Sequence, residues 1–193
     1  LWAKSCDMMN IKLILPLIFI AFTVFISRLI PHQPNFTAMI AAVVFAARIN
    51  RRLSTLFVVF LALLMSDLVI NNFIYTNHGS FKWLSSGVIW LLACYTVVYF
   101  AGKYFLKRNS QSIMSYLSTA TGASLIFFVL SNFAVWATGN LYPKTLLGLE
   151  SCFIAAIPFL SYELAGNLFY SAIFLVTYFI WNRQANLAPL PLN

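Results

Sequence analysis

Long apolar runs constrain this chain more than any other feature of its sequence. A membrane-crossing helix needs about 20 apolar residues, and windows of that kind lie near residues 11–30, 53–70, 85–105, 115–137 and 150–181. Hydrophobic residues make up 62% of the chain and charged residues only 8%, against roughly 25% charged residues in a soluble domain. The pattern therefore predicts an integral membrane protein surrounded by lipid.

A sixth apolar run, at 36–48, is shorter than the others. A helix of that length reaches about 18 Å, which is short for a hydrocarbon core of about 30 Å. We expect this helix either to extend into its flanks or to lie in a thin region buried by protein. This run carries a stripe of small residues: Ala38, Ala41, Ala42, Ala46 and Ala47. Small residues allow close contact between helices, so the stripe predicts either an internal seam or a docking face for a partner membrane protein.

The twelve Lys and Arg residues lie in short clusters between the apolar runs, which is typical of topology signals and not of a nucleic-acid-binding face. With six spans and the N-terminus inside, nine of them are cytoplasmic: Lys4, Lys12, Arg48, Arg51, Arg52, Lys103, Lys107, Arg108 and Arg183. Only Arg28, Lys82 and Lys144 lie on the outer side. The positive-inside rule therefore predicts an all-α bundle of six transmembrane helices with both termini cytoplasmic.

The chain divides into an N-terminal segment, 1–10, a six-helix transmembrane domain, 11–182, and a tail, 183–193. The tail contains two prolines and no periodicity, so we expect it to be flexible. Lys12 and the apolar residues after it resemble a signal peptide, but no small-x-small cleavage site precedes Arg28. We therefore expect the first span to be retained.

Two carboxylates interrupt the apolar runs at membrane depth, where an unpaired charge is costly. Asp67 is predicted either to pair with Arg28 or Lys82 or to bind a ligand in a pocket. Glu163 is predicted to face a wet cavity or to belong to a structural pair, and Asn167, four residues later, shares its helical face.

Other polar residues near the outer side are also candidates for ligand binding. Asn132 and Trp136 are four residues apart and could hold a flat, polar-edged molecule, or they could serve as an inter-helix amide bond and an interfacial anchor. His32 and Asn35 lie in the first outer loop, which is predicted to be a rigid turn with a helix cap or a lid over the outer pocket.

Several kinds of chemistry have no candidate residues in this sequence. It contains no GxxxxGK[ST] loop, no GxSxG or HExxH motif and no intramembrane aspartate pair, so neither ATP hydrolysis nor peptide cleavage is expected. No cofactor is expected either. A metal site is not favoured, because no metal-ligand spacing such as HxxxH links the outer-side candidates His32, His78, Cys152 and Asp67.

Five segments of the chain resemble a family of six-span bacterial membrane proteins that has no assigned activity. They are Arg28–Thr37, Ser66-Asp67-Leu68, Ser131–Trp136, Tyr142–Leu149 and Ala155–Phe159. That family is in turn similar to the substrate-binding S-components of energy-coupling-factor vitamin transporters. The resemblance implies a location in the bacterial inner membrane and a six-helix bundle that binds a vitamin-like ligand from outside under a lid formed by the first outer loop. It also implies a membrane coupling subunit and cytoplasmic ATPases as partners.

Two functions of different classes follow from these observations. The first is a substrate-binding membrane subunit of a small-molecule importer, with Asp67, Asn132, Trp136, Glu163, Asn167, His32 and Asn35 as candidate ligand-binding residues. The alternative is an accessory or scaffolding subunit of a larger membrane complex, motivated by the alanine stripe of the second span. Neither is an enzyme, and both have lipid as their surroundings.

Overall fold

The computed structural model describes residues 2–49, 53–74, 81–106 and 112–187, and these residues contain helices and no strand. The all-α prediction is thereby confirmed. The six α-helices are α1 (Trp2–Leu29), α2 (Met39–Ile49), α3 (Leu53–Val69), α4 (Val88–Phe105), α5 (Ile113–Thr138) and α6 (Leu146–Leu187). A π-helical turn, Ile70–Ile74, continues α3.

The helix bounds follow the apolar runs, with two differences. Helix α1 begins well before residue 11, and α6 extends beyond 150–181 at both of its ends. Pro158 lies inside α6, which is continuous through it. Residues 188–193, which include most of the predicted tail, and His78 lie outside the described residues.

Within the described ranges, four segments are long and apolar enough to cross a membrane: Leu53–Ile74, Val88–Phe105, Ile113–Thr138 and Leu146–Trp181. The shorter apolar helices are Ile14–Leu29 and Met39–Ile49. Large apolar side chains face outward, with Phe57 and Ile89 among the most exposed. An apolar exterior around a packed interior is what a lipid-surrounded bundle requires, so the helices indicate a membrane-embedded protein.

Helix α2 is the centre of the bundle. It packs against α1, α3, α4, α5 and α6, and all of its residues from Met39 to Ala47 are buried. This explains how a helix of about 16 Å fits into the fold, because it is enclosed by protein and need not match the lipid thickness. The alanine stripe is therefore an internal seam, and its burial removes the predicted docking face.

Small residues bring α2 and α4 into close contact. A Cβ atom added at Gly102 of α4 would lie 3.2 Å from the Cβ of Ala47. In lipid, such close approach replaces the hydrophobic effect as a source of helix association. The rest of α2 is fixed by larger side chains.

Phe45, near the end of α2, is surrounded by aromatic rings. Its ring stacks on Phe174 at 5.3 Å and meets Tyr116 and Tyr178 edge to face at 6.5 and 5.8 Å. These partners come from α5 and α6, so the Phe45 ring packs α2 against both of these helices. The start of α2, at the opposite end of the bundle, borders a cavity that Ile40 lines.

Candidate functional site

A cavity of about 640 Å³ lies at the end of the bundle where α1 ends and α2 and α4 begin, which we call the cavity end. Five helices contribute wall residues, which include Arg28 of α1, Ile40 of α2, Tyr95 of α4, Phe127 of α5 and Glu163 of α6. Ligand pockets for small molecules typically measure about 300–1,000 Å³. The cavity is therefore large enough to hold an organic molecule.

Glu163 is an acidic residue that is buried in this wall. Its side chain is 4% exposed, and its Oε1 atom has no hydrogen-bond partner among the described residues. The Ser124 hydroxyl lies beside the same carboxyl group. A buried oxygen without a donor costs free energy, and Glu163 is one of the residues that line the cavity. This is the cavity-facing arrangement predicted for Glu163.

Arg28 and Asp67 form an ion pair between the end of α1 and the end of α3. Asp67 is 3% exposed and lies behind Arg28, and Arg28 lines the cavity. The Nε atom of Arg28 is buried and has no partner among the described residues. Asp67 thus makes the pair that the sequence offered as its structural alternative, and it orients a cation toward the cavity.

Two aromatic side chains form a flat part of the wall. The Tyr95 ring stacks on the Phe127 ring, with centroids 4.8 Å apart and planes inclined by 14°. Tyr95 also lies within electrostatic range of Arg28, Glu163 and Asp67. An aromatic surface next to charged groups can hold a ligand that combines an apolar body with a polar end.

The loop between α1 and α2 forms the rim of the cavity. His32 and Asn35, both predicted site residues, are exposed and line it. The loop is tightly folded, since the Phe36 N–H donates to the Gln33 carbonyl at 3.0 Å and the Thr37 N–H to the Asn35 carbonyl at 2.9 Å. Asn35 has a φ of 65°, a left-handed conformation that asparagine tolerates better than most residues.

The same loop is tied to α1 and α6. The Ser27 hydroxyl of α1 accepts a hydrogen bond from the Ala38 N–H at 3.1 Å, so a side chain of the neighbouring helix binds the backbone just before α2. On the other side, the loop backbone at Phe36 passes directly over Gly166 of α6. The rim is therefore held in place by its backbone contacts.

Gly166→Ala is expected to lower the free energy of unfolding by about 1–3 kcal/mol, the usual cost of overpacking. Its added Cβ would lie 3.0 Å from the Phe36 Cα and 3.1 Å from the Thr37 nitrogen, so backbone must move. Gly122→Ala is the matched control, because nothing lies within 4 Å of its added Cβ and alanine favours a helix. Unfolding of both variants by SDS in mixed micelles is the measurement, and equal stability would contradict this contact.

The structure places Asn132 and Trp136 outside the cavity wall. The Asn132 amide donates to the Phe128 carbonyl of its own helix at 2.8 Å. The Trp136 Nε1–H donates to the Pro143 carbonyl at 2.9 Å, and its ring lies 5.7 Å from the Lys144 Nζ. Both residues thus stabilise α5 and the loop that follows it.

Asn167 is buried between α5 and α6, one turn from Glu163 and also outside the cavity wall. Its amide donates to the Ala120 carbonyl at 2.6 Å and to the Ser124 hydroxyl at 2.8 Å. Ser124 therefore connects Asn167 to the carboxyl group of Glu163. Asn167 positions the helix that carries Glu163.

Of the predicted site residues, the structure brings Glu163, His32 and Asn35 to one cavity, with Asp67 behind its wall. Sequence reasoning did not select Tyr95 and Phe127, which look like ordinary apolar positions of their spans. It considered Arg28 as a topology signal and as a partner of Asp67, which was the available clue. Among the described residues, no group of three or more His, Cys, Asp or Glu side chains could hold a metal ion.

The fold and the cavity define a class: an all-helical, membrane-embedded protein with a cavity open at one end of the bundle. The chain belongs to the family of unknown function DUF6580, whose model matches residues 8–188. No curated protein and no solved structure matches the chain. The comparisons thus show this family alone, and the similarity to S-components of vitamin transporters stays a prediction.

Proposed function

We propose that the protein is a membrane-embedded binding subunit. It receives a small molecule in the cavity at the cavity end of the bundle. The observation that carries this proposal is Glu163, whose buried carboxyl group lies in the wall of a cavity of about 640 Å³ and whose Oε1 has no partner in the described part of the chain. A purely structural bundle gains nothing from leaving such a group unpaired next to an open volume.

The proposed topology has six spans, with both termini in the cytoplasm of a bacterial cell and the cavity opening on the outer face of its inner membrane. It is supported by the nine-to-three distribution of Lys and Arg in the sequence. The cavity end contains the α1–α2 loop, which this topology assigns to the outer side. A ligand would then enter from outside past His32 and Asn35.

An importer role is the part of the proposal that needs other chains. The sequence contains no nucleotide-binding loop, so energy for transport would come from a coupling membrane subunit and ATPases, as the resemblance to S-components implies. The alternative, an accessory subunit of a larger complex, was motivated by the alanine stripe, which is buried inside the bundle. Purification in mild detergent separates the two, since a stoichiometric partner that is neither a coupling subunit nor an ATPase favours the alternative.

Leu91→Trp is expected to abolish ligand-dependent stabilisation, because Leu91 lines the cavity and is only partly buried, so that a larger side chain can enter the ligand's volume. The measurement is thermal unfolding of the purified protein against vitamins and their precursors. The matched control is Leu61→Trp, since Leu61 is 49% exposed on the outside of α3. A ligand that stabilises both variants equally binds elsewhere and contradicts the proposed site.

A further inference from the structure

We infer that the cavity takes a small organic cation, whose positive group binds Glu163 and whose flat apolar part packs against Tyr95. The inference rests on the proposed binding function and deepens it by naming the chemical class of the ligand. It follows from the charges of the wall and from the shape of its aromatic part.

Of the acidic and basic side chains at the cavity wall, one acidic side chain has no basic partner among the described residues. Arg28 and Asp67 form an ion pair and cancel each other. Glu163 remains, and neither of its polar neighbours, Ser124 and Asn167, carries a charge. In a low-dielectric interior an unpaired carboxyl group is costly to ionise, and a cation placed beside it stabilises the ionised form, so the wall as a whole favours a ligand with one positive charge.

The described part of the chain does not supply that cation. Arg28 is the one Lys or Arg among the described wall residues, and Asp67 already engages it. Arg48 lies over the Tyr116 ring, 5.4 Å from its centroid, and Tyr116 is not a wall residue. His32 is on the rim and exposed to solvent, whereas the carboxyl group of Glu163 is buried. A positive group for Glu163 must therefore come from outside the described chain.

The aromatic residues of the wall indicate the shape of the uncharged part of the ligand. The stacked rings of Tyr95 and Phe127 present an apolar surface near Glu163. Aromatic faces also attract cations, so they add to the preference set by the carboxylate. The Nε–H of Arg28 has no partner among the described residues, and it is the group to which an acceptor elsewhere on the same molecule would bind. A protonated amine or a cationic heteroaromatic ring attached to a flat skeleton meets all three features.

Three probes of one shape test this inference: benzylamine, which is a cation at neutral pH, benzyl alcohol, which is neutral, and benzoate, which is an anion. Thermal unfolding of the full chain is recorded over a concentration series of each probe. Wild-type protein is expected to bind benzylammonium most tightly. Glu163→Gln, which keeps the side-chain shape and removes the charge, is expected to weaken that binding by about 10- to 100-fold.

Glu150→Gln is the matched control, because it removes the same charge from the same helix at an exposed position outside the wall, and it is expected to leave all three affinities unchanged. If Glu163→Gln does not fold, Glu163→Asp takes its place, with weaker binding but the same preference for the cation. An unchanged affinity in the Glu163 variant, a preference for benzoate or the alcohol, or no binding of any probe overturns the inference. The proposed function still stands if a screened molecule stabilises wild type but not Leu91→Trp.

Discussion

Asp67→Ala is expected to lower the free energy of unfolding by about 3 kcal/mol, the lower end of the cost of removing one partner of a buried ion pair. Asp67 is almost fully buried, and the Arg28 side chain is 19% exposed, so part of the guanidinium can still reach solvent. The Arg28 Nε already has no partner among the described residues of the wild-type protein. Without Asp67, the Arg28 guanidinium would lose its buried ion-pair partner, and the end of α1 would lose its link to α3.

The measurement is unfolding by SDS in mixed micelles, followed by circular dichroism. Glu150→Ala removes a carboxylate from an exposed position and is expected to change stability by less than about 0.5 kcal/mol. The double variant Arg28→Met with Asp67→Leu replaces both charges by apolar groups and should recover most of the loss. A single Asp67→Ala variant as stable as the Glu150 control would show that the pair does not join α1 to α3.

Phe45→Ala is expected to cost about 3 kcal/mol, within the usual range for truncating a buried aromatic residue. Phe45 is 2% exposed and its ring contacts Phe174, Tyr116 and Tyr178. In lipid the unfolded helices remain in an apolar solvent, so the loss comes mainly from packing and the void left behind. Helix α2 would then lose its contact with α5 and α6 at the end opposite the cavity.

Phe57→Ala provides the comparison for this prediction. Phe57 is 67% exposed on α3, so its ring contacts lipid in both the folded and the unfolded state. We therefore expect the free energy of unfolding to change by less than about 0.5 kcal/mol. The same SDS titration applies to both variants. Equal effects of the two truncations would mean that α2 is not the packed centre of the bundle.

Much of the fold could be predicted because hydropathy determines which segments can be in lipid. The span at 53–70 became α3, with bounds of Leu53–Val69, and the short run at 36–48 became the buried α2. The sequence could not decide between an internal seam and a docking face, since alanines serve either purpose and only the packing of the other five helices resolves it. The π-helical turn after α3 had no sequence signal.

The site was harder to predict, because a polar residue at membrane depth can form its hydrogen bonds within its own helix or lie in the wall of a cavity. Asn132 was selected by the same reasoning as Glu163, yet its amide donates to a carbonyl four residues earlier in its own helix. A carboxyl group has no N–H to donate in this way, and the Glu163 Oε1 is buried with no partner among the residues that the structure describes. Tyr95 became a wall residue through helix packing, which a single sequence does not encode in any local pattern.

Native mass spectrometry of the protein, incubated with a small-molecule extract of cells, tests the central claim most directly, because it weighs the bound molecule on the intact chain. Wild-type protein is expected to take up a small molecule that Leu91→Trp does not take up and Leu61→Trp does. Uptake of the same masses to the same extent by wild type and Leu91→Trp, or no uptake by wild type, would contradict a binding site in this cavity.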